Sequence, residues 1–288
     1  MINTPQLLLF FSTALALALG GLAYAESSPL AIDDGDLRAK LQKGLEKLHE
    51  DKKGVPLREL TKQLSRRKTT TILPDASGNS IAPDAFYSSC KPSVLVMGRL
   101  YKCDKCTKWH VSSASAFALT EDGVIATNHH VVENKEGVIL AAMNAKGEVF
   151  SVKEVLAADK ASDVAILRLA DAKLVPLPLG ETAPVGAAVN VISHPDGRLY
   201  TMTKGDVSRY YVARTKAGKA DRMAITADYA KGSSGAPVLN PAGEVVGMVS
   251  ATQSIYYTRT NGRNENLQMV VKSCIPVAAI HRLLQRAD

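Results

Sequence analysis

The sequence predicts an all-β fold, and three observations lead there. After Lys91 the chain breaks into short runs rich in β-branched residues, each bounded by Gly, Pro, Asn or Asp. These runs form two successive clusters, and no long helical periodicity separates strand from strand as a parallel α/β sheet would require. Residues 93–101, 111–119, 138–143 and 164–169 form the first cluster; residues 188–192, 203–211, 223–226, 237–239 and 245–250 form the second. Many short strands with frequent turns imply a sandwich or barrel. Only Pro276 to Arg286 returns to helical spacing, which predicts a C-terminal helix.

The residues ahead of this β-rich part read differently. Leu7 to Leu19 is an uncharged apolar run followed by Ala23-Tyr24-Ala25, so residues 1–25 are expected to be a removed signal peptide. The run is shorter than the ~20 residues a spanning helix needs, and no membrane span is expected after cleavage. From Asp36 to about Arg67, Leu37, Leu41, Leu45 and Leu48 and then Leu57, Leu60 and Leu64 recur at spacings of three and four, interrupted at Gly54-Val55-Pro56. Two short amphipathic helices follow from that pattern. Residues 69–85 lack periodicity and read as a linker, which divides the chain into a helical N-terminal region with linker over 26–85 and a β domain over 86–288. The net charge of +7 is spread among acidic residues rather than gathered with aromatics, which argues against a nucleic-acid partner.

Three segments carry possible chemistry. Thr127-Asn128-His129-His130-Val131-Val132 follows a strand, Ser162-Asp163-Val164-Ala165-Ile166-Leu167 opens one, and Lys231-Gly232-Ser233-Ser234-Gly235-Ala236-Pro237 is a Gly-Ser turn. Each alone suits a structural role as well as a functional one. Together, in the chain order His, Asp, Ser, they resemble the trypsin-like serine peptidases, and within them the bacterial HtrA-like branch. The resemblance covers about residues 91–285. It implies two six-stranded antiparallel β-barrels of the chymotrypsin-like kind, and an exported endopeptidase that needs no cofactor and takes polypeptides as substrates. It also implies a catalytic triad of His130, Asp163 and Ser234, with the oxyanion held by the backbone N–H groups of Gly232 and Ser234. A serine hydroxyl needs such help at neutral pH: an imidazole accepts its proton, and a carboxylate holds that imidazole in one tautomer.

Two departures from the family pattern stand out, Ala114-Ser115-Ala116-Phe117 in place of a Gly-rich approach and Ala236 in place of the second glycine after the nucleophile. Neither removes a reacting group. Ala236 also breaks the Gly-x-Ser-x-Gly elbow of the α/β-hydrolases, whose chain order differs as well. Asp228 lies six residues before Ser234, where trypsin-like enzymes that cleave after Lys or Arg carry a pocket-base aspartate; Met248 to Thr252, with Ser250 and Thr252, resembles the strand that lines the same pocket. The peptide-binding PDZ domain common in HtrA proteins is not expected. Two other readings are a protease-like module that holds a peptide by strand addition, and an envelope scaffold acting through the helices of 36–67.

The chain outside residues 1–25 holds four cysteines, Cys90, Cys103, Cys106 and Cys274. In an exported protein a disulfide closing the Cys103 to Cys106 turn is the favoured expectation. The alternative is a zinc site of Cys90, Cys103, Cys106 and His110.

Overall fold

The computed structural model describes residues 31–133, 136–260 and 262–286; the expected signal peptide lies outside the described residues. The described residues from Asp33 onward form one compact unit. Helix α1 (Asp34–Glu50) starts where the Asp33 carboxylate accepts from the Asp36 N–H at 2.9 Å, and α2 (Leu57–Lys62) follows the Gly54–Pro56 break. After β1 (Thr69–Thr71) and α3 (Phe86–Cys90) come β2 (Val94–Lys102), β3 (Trp109–Ala118), β4 (Val124–Thr127), α4 (His129–Val132), β5 (Gly137–Met143), β6 (Val149–Asp159) and β7 (Val164–Leu169). The remaining elements are β8 (Ala188–Ser193), β9 (Thr201–Thr215), β10 (Gly218–Ile225), β11 (Pro237–Leu239), β12 (Val245–Thr260), β13 (Arg263–Pro276), α5 (Val277–His281) and β14 (Leu284–Arg286).

Two closed six-stranded antiparallel barrels result, in the orders β2-β3-β4-β7-β6-β5 and β10-β13-β12-β11-β8-β9. Closure removes the unpaired edges that an open sheet would present to other chains. Each barrel surrounds its own apolar core. Leu95, Met97, Ile125, Leu140, Val155 and Leu167 meet inside the first, and Val189, Val191, Val207, Met223, Val238 and Val249 inside the second.

The helical region lies on the first barrel. Leu41 and Leu45 of α1 are buried, and a methyl group on Gly98 of β2 would come within 2.9 Å of both side chains, so glycine there lets the helix seat directly on the strand. Arg66 and Arg67 then donate to the Val155 and Ala158 carbonyls at 2.7 and 2.8 Å, tying the end of this region to β6.

The expected C-terminal helix is present as α5, about one and a half turns long; beyond it, residues 284–286 pair in parallel with residues 69–71. That pairing also gives the start of the expected linker a strand. Among the described residues, no helix is long and apolar enough to cross a membrane.

The seam between the barrels contains a fully buried histidine. His194, after β8, directs Nε2 to the Leu95 carbonyl of β2 at 3.1 Å, and its Nδ1 accepts from the Tyr200 N–H at 3.0 Å. These partners fix the neutral tautomer with the proton on Nε2. Burial pushes its pKa down to about 4.

Leu45→Ala should lower stability by about 3 kcal/mol, as expected for a fully buried leucine, with the loss read by urea unfolding followed by far-UV circular dichroism. His194 yields a pH-dependent expectation. Because its folded pKa is depressed, the unfolded chain binds the extra proton, so its contribution is complete above about pH 6.5 and fades as pH falls toward 4. His194→Gln, which keeps one donor and one acceptor, should flatten that part of the stability curve by up to about 3 kcal/mol between pH 7 and 4.5. Parallel curves for the two proteins would contradict it.

Candidate active site

The three segments singled out in the sequence meet at the seam between the barrels. Strand β4 delivers Asn128 and His129, and the α4 turn then presents His130 at the surface, its side chain 51% exposed. Asp163, in the turn between β6 and β7, holds this turn from several directions. Its carbonyl accepts from the His129 N–H at 3.1 Å and from Asn128 Nδ2 at 3.1 Å, and its Oδ1 accepts from the His130 N–H at 3.1 Å. Both carboxylate oxygens lie 3.0 Å from His130 Nδ1. Asp163 achieves this with φ of 66°, a left-handed conformation that aspartate tolerates better than most side chains.

The adjacent histidine has a different environment. His129 is buried, with Nδ1 3.4 Å from Glu133, and burial lowers its pKa despite that carboxylate. Of the His129-His130 pair, it is His130 whose ring meets Asp163.

The Gly-Ser turn belongs to the second barrel but is bonded to both. The Ser115 N–H of β3 donates to the Ser234 carbonyl at 2.8 Å, Ser115 Oγ to the Gly232 carbonyl at 3.0 Å, and the Gly235 N–H to the Val249 carbonyl of β12 at 2.9 Å. Gly232 has φ of 98°, and a Cβ there would sit 2.4 Å from the His194 carbonyl. No side chain fits. Among the described residues, no protein acceptor takes the Gly232 or Ser234 N–H. Ser233 is fully buried with its hydroxyl on Ser193 at 3.0 Å, whereas Ser234 reaches the cleft and donates to the Ser250 carbonyl at 3.3 Å. His130, Ser234 and Gly232 line one cavity of about 210 Å³, walled by Met97, Arg99 and Ala114.

Ser250 takes a place that the sequence reading did not give it. Expected as a pocket-lining residue, it directs its hydroxyl to Asp163 Oδ2 at 2.8 Å and so ties the second barrel to the carboxylate of the first. The expected pocket base is corrected. The Asp228 side chain is 81% exposed and pairs with Lys272 at 2.6 Å, because Lys272 of β13 lies across it and also donates to the Tyr229 carbonyl at 2.7 Å. Thr252 is exposed beside the same lysine in the β12–β13 register.

The cysteine expectation is corrected too. Cys103 and Cys106 are free thiols with their sulfurs 3.3 Å apart, and His110 Nε2 lies 3.2 Å from the first and 2.9 Å from the second. Cys90 is not with them. It is buried at the end of α3, its sulfur 3.2 Å from where a Cβ on Gly243 would stand, and burial raises its thiol pKa to about 11.

Known proteins resemble parts of this chain. Residues 114–248 match the model of the trypsin-like peptidase domain, a segment that holds His130, Asp163 and Ser234. A probable periplasmic serine endoprotease DegP-like of Halomonas elongata is 36% identical over 155 residues, covering 52% of this chain and 31% of that protein. The serine protease HTRA1B of Danio rerio is 34% identical over 145 residues, covering 48% and 30%. The anti-sigma-I factor RsgI9 of Acetivibrio thermocellus is 33% identical over 143 residues, covering 49% and 19%. The chain thus spans less than a third of the length of these relatives. The crystal structure of the Rv3671c protease from M. tuberculosis in its active form shares the fold, with a TM-score of 0.55 at 22% identity over 76% of this chain and 92% of that one. Residues 114–248 are thus similar to a trypsin-like peptidase domain, and about half of the chain resembles serine proteases of the DegP and HTRA1 kind.

Proposed function

We propose that this protein is an exported serine endopeptidase that cleaves polypeptides through an acyl-enzyme intermediate, with His130, Asp163 and Ser234 as its triad. The observation that carries this reading is the His130 ring held by Asp163 at 3.0 Å in the cavity that also contains Ser234 and Gly232. Export is supported by the signal-like pattern of residues 1–25 and by the periplasmic naming of DegP-like relatives.

The chemistry follows from these positions. Asp163 accepts the Nδ1 proton of His130, which leaves Nε2 unprotonated and able to take the proton of Ser234 Oγ as that oxygen attacks the peptide carbonyl. Rotation about the Ser234 side chain carries its hydroxyl from the Ser250 carbonyl toward Nε2, a tightening common when substrate arrives. The carbonyl oxygen, now negative, receives the Gly232 and Ser234 N–H groups. His130 then gives its proton to the departing amine, and a water deprotonated by the same nitrogen releases the acyl group from Ser234. Ser250 acts through Asp163 as a positioning residue. With Asp228 paired to Lys272 and exposed, the carboxylate that the sequence offered as a pocket base for Lys or Arg is already partnered.

Ser234→Ala should reduce casein hydrolysis by at least about 10⁴-fold with the fold retained, and His130→Ala by a similar factor, because members of a triad act as a unit. His129→Ala should leave serine labelling by a fluorophosphonate intact where His130→Ala abolishes it; the opposite outcome would reassign the base. Ser250→Ala removes one hydrogen bond to a carboxylate. It should cost about tenfold in kcat with KM little changed, and shift the acid limb of the kcat profile, whereas Ser250→Thr should restore most of the loss.

A further inference from the structure

We propose that Cys103, Cys106 and His110 form a zinc site at the tip of the β2–β3 hairpin. Three donor atoms of the types zinc prefers converge there, with mutual distances of 2.9 to 3.3 Å. Tetrahedral zinc, with Zn–S near ~2.3 Å and Zn–N near ~2.0 Å, separates its ligand atoms by ~3.5–3.8 Å. Small side-chain rotations at an exposed hairpin tip supply that opening. The Cys-x-x-Cys and Cys-x-x-x-His spacings put all three donors on one side of the turn, within the short ligand intervals that zinc sites use.

The imidazole distinguishes this site from a disulfide. A disulfide needs only the two sulfurs, yet His110 Nε2 approaches both, at 3.2 and 2.9 Å, as a third ligand would. The ring is set by its neighbours on the hairpin, with Tyr101 facing it across the ladder at 5.5 Å between centroids. Two thiolates and a neutral imidazole balance the charge of one Zn²⁺, and binding releases the two thiol protons to solvent. Cys106 is exposed, so the fourth tetrahedral position opens to water; Cys90, buried beside Gly243, is outside the set.

The position gives the metal a structural task. Register pairs Tyr101 with His110 and Arg99 with Ser112, so the clip closes the same two strands whose Met97, Arg99, Ser112 and Ala114 wall the cleft. Trp109 packs edge-on against His49 of α1 at 4.9 Å, which anchors the hairpin beside the clip.

The test uses the whole protein, reduced, equilibrated with zinc chloride and freed of unbound metal. Elemental analysis should give one zinc per chain, and competition with a chromophoric chelator should show binding weakened by at least about 100-fold in both Cys106→Ser and His110→Ala, since loss of a ligand should exceed the 10–100-fold effect of an outer-shell partner. Circular dichroism confirms the fold of each variant. Should either fail to fold, the unmodified protein decides alone. Zinc should slow alkylation of Cys103 and Cys106 at least tenfold and a chelator should restore it, while Cys90 and Cys274, both buried, react slowly throughout. Retention of no zinc, equal binding by both variants, or a non-reducing peptide map with Cys103 joined to Cys106 and no metal would overturn the proposal.

Discussion

The carboxylate of Asp163 is the point on which the candidate site depends. It receives His130 from its own barrel and Ser250 from the other, while its backbone carbonyl fixes the turn that brings His130 forward. A buried carboxylate is costly unless its oxygens are hydrogen-bonded, and only 15% of this side chain is exposed. The bonds that satisfy it are those that define the site. Docking of the barrels and orientation of the imidazole are therefore one structural event, and the left-handed backbone at residue 163 is maintained by the bonds converging on it.

Neighbouring residues of one type diverge here because burial differs. His129 and His130 are adjacent, yet one is packed beside Glu133 and the other half exposed over the cleft. Ser233 and Ser234 repeat the contrast, the first hidden against Ser193 and the second facing His130's cavity. In both pairs the helical or turn geometry points consecutive side chains in different directions, so the second residue of each pair faces the cleft and the first is part of the packing.

Much of this was legible in the sequence, because the three motif segments are local: each carries its own strand and turn within about ten residues. The two clusters of strands were legible from punctuation by turn residues, and the paired helices from leucine spacing. What was missed depends on partners distant in the chain. Ser250 reads as a pocket-lining strand residue until Asp163 lies beside its hydroxyl. Asp228 has a suggestive spacing from Ser234, but spacing does not fix direction, and Lys272 draws the side chain outward. Strand β13 was overlooked because Arg263 to Asn266 is polar and exposed, although the Asn261-Gly262 dipeptide before it is a strong hairpin signal. The cysteine turn was read from compartment rather than from geometry, and His110's approach to both sulfurs is a three-dimensional fact.

The parallel pairing of β1 with β14 has a kinetic meaning. Thr69 meets Leu284 across nearly the whole β domain, after both barrels have intervened in the chain. The loop entropy of so distant a contact must be overcome before the contact adds stability, and barrel closure shortens the span that remains to be searched. The clasp is therefore expected to form after the barrels. With few hydrogen bonds of its own, it is also placed to open at the least free energy, so exchange of its amides with solvent monitors local opening while the barrels stay closed.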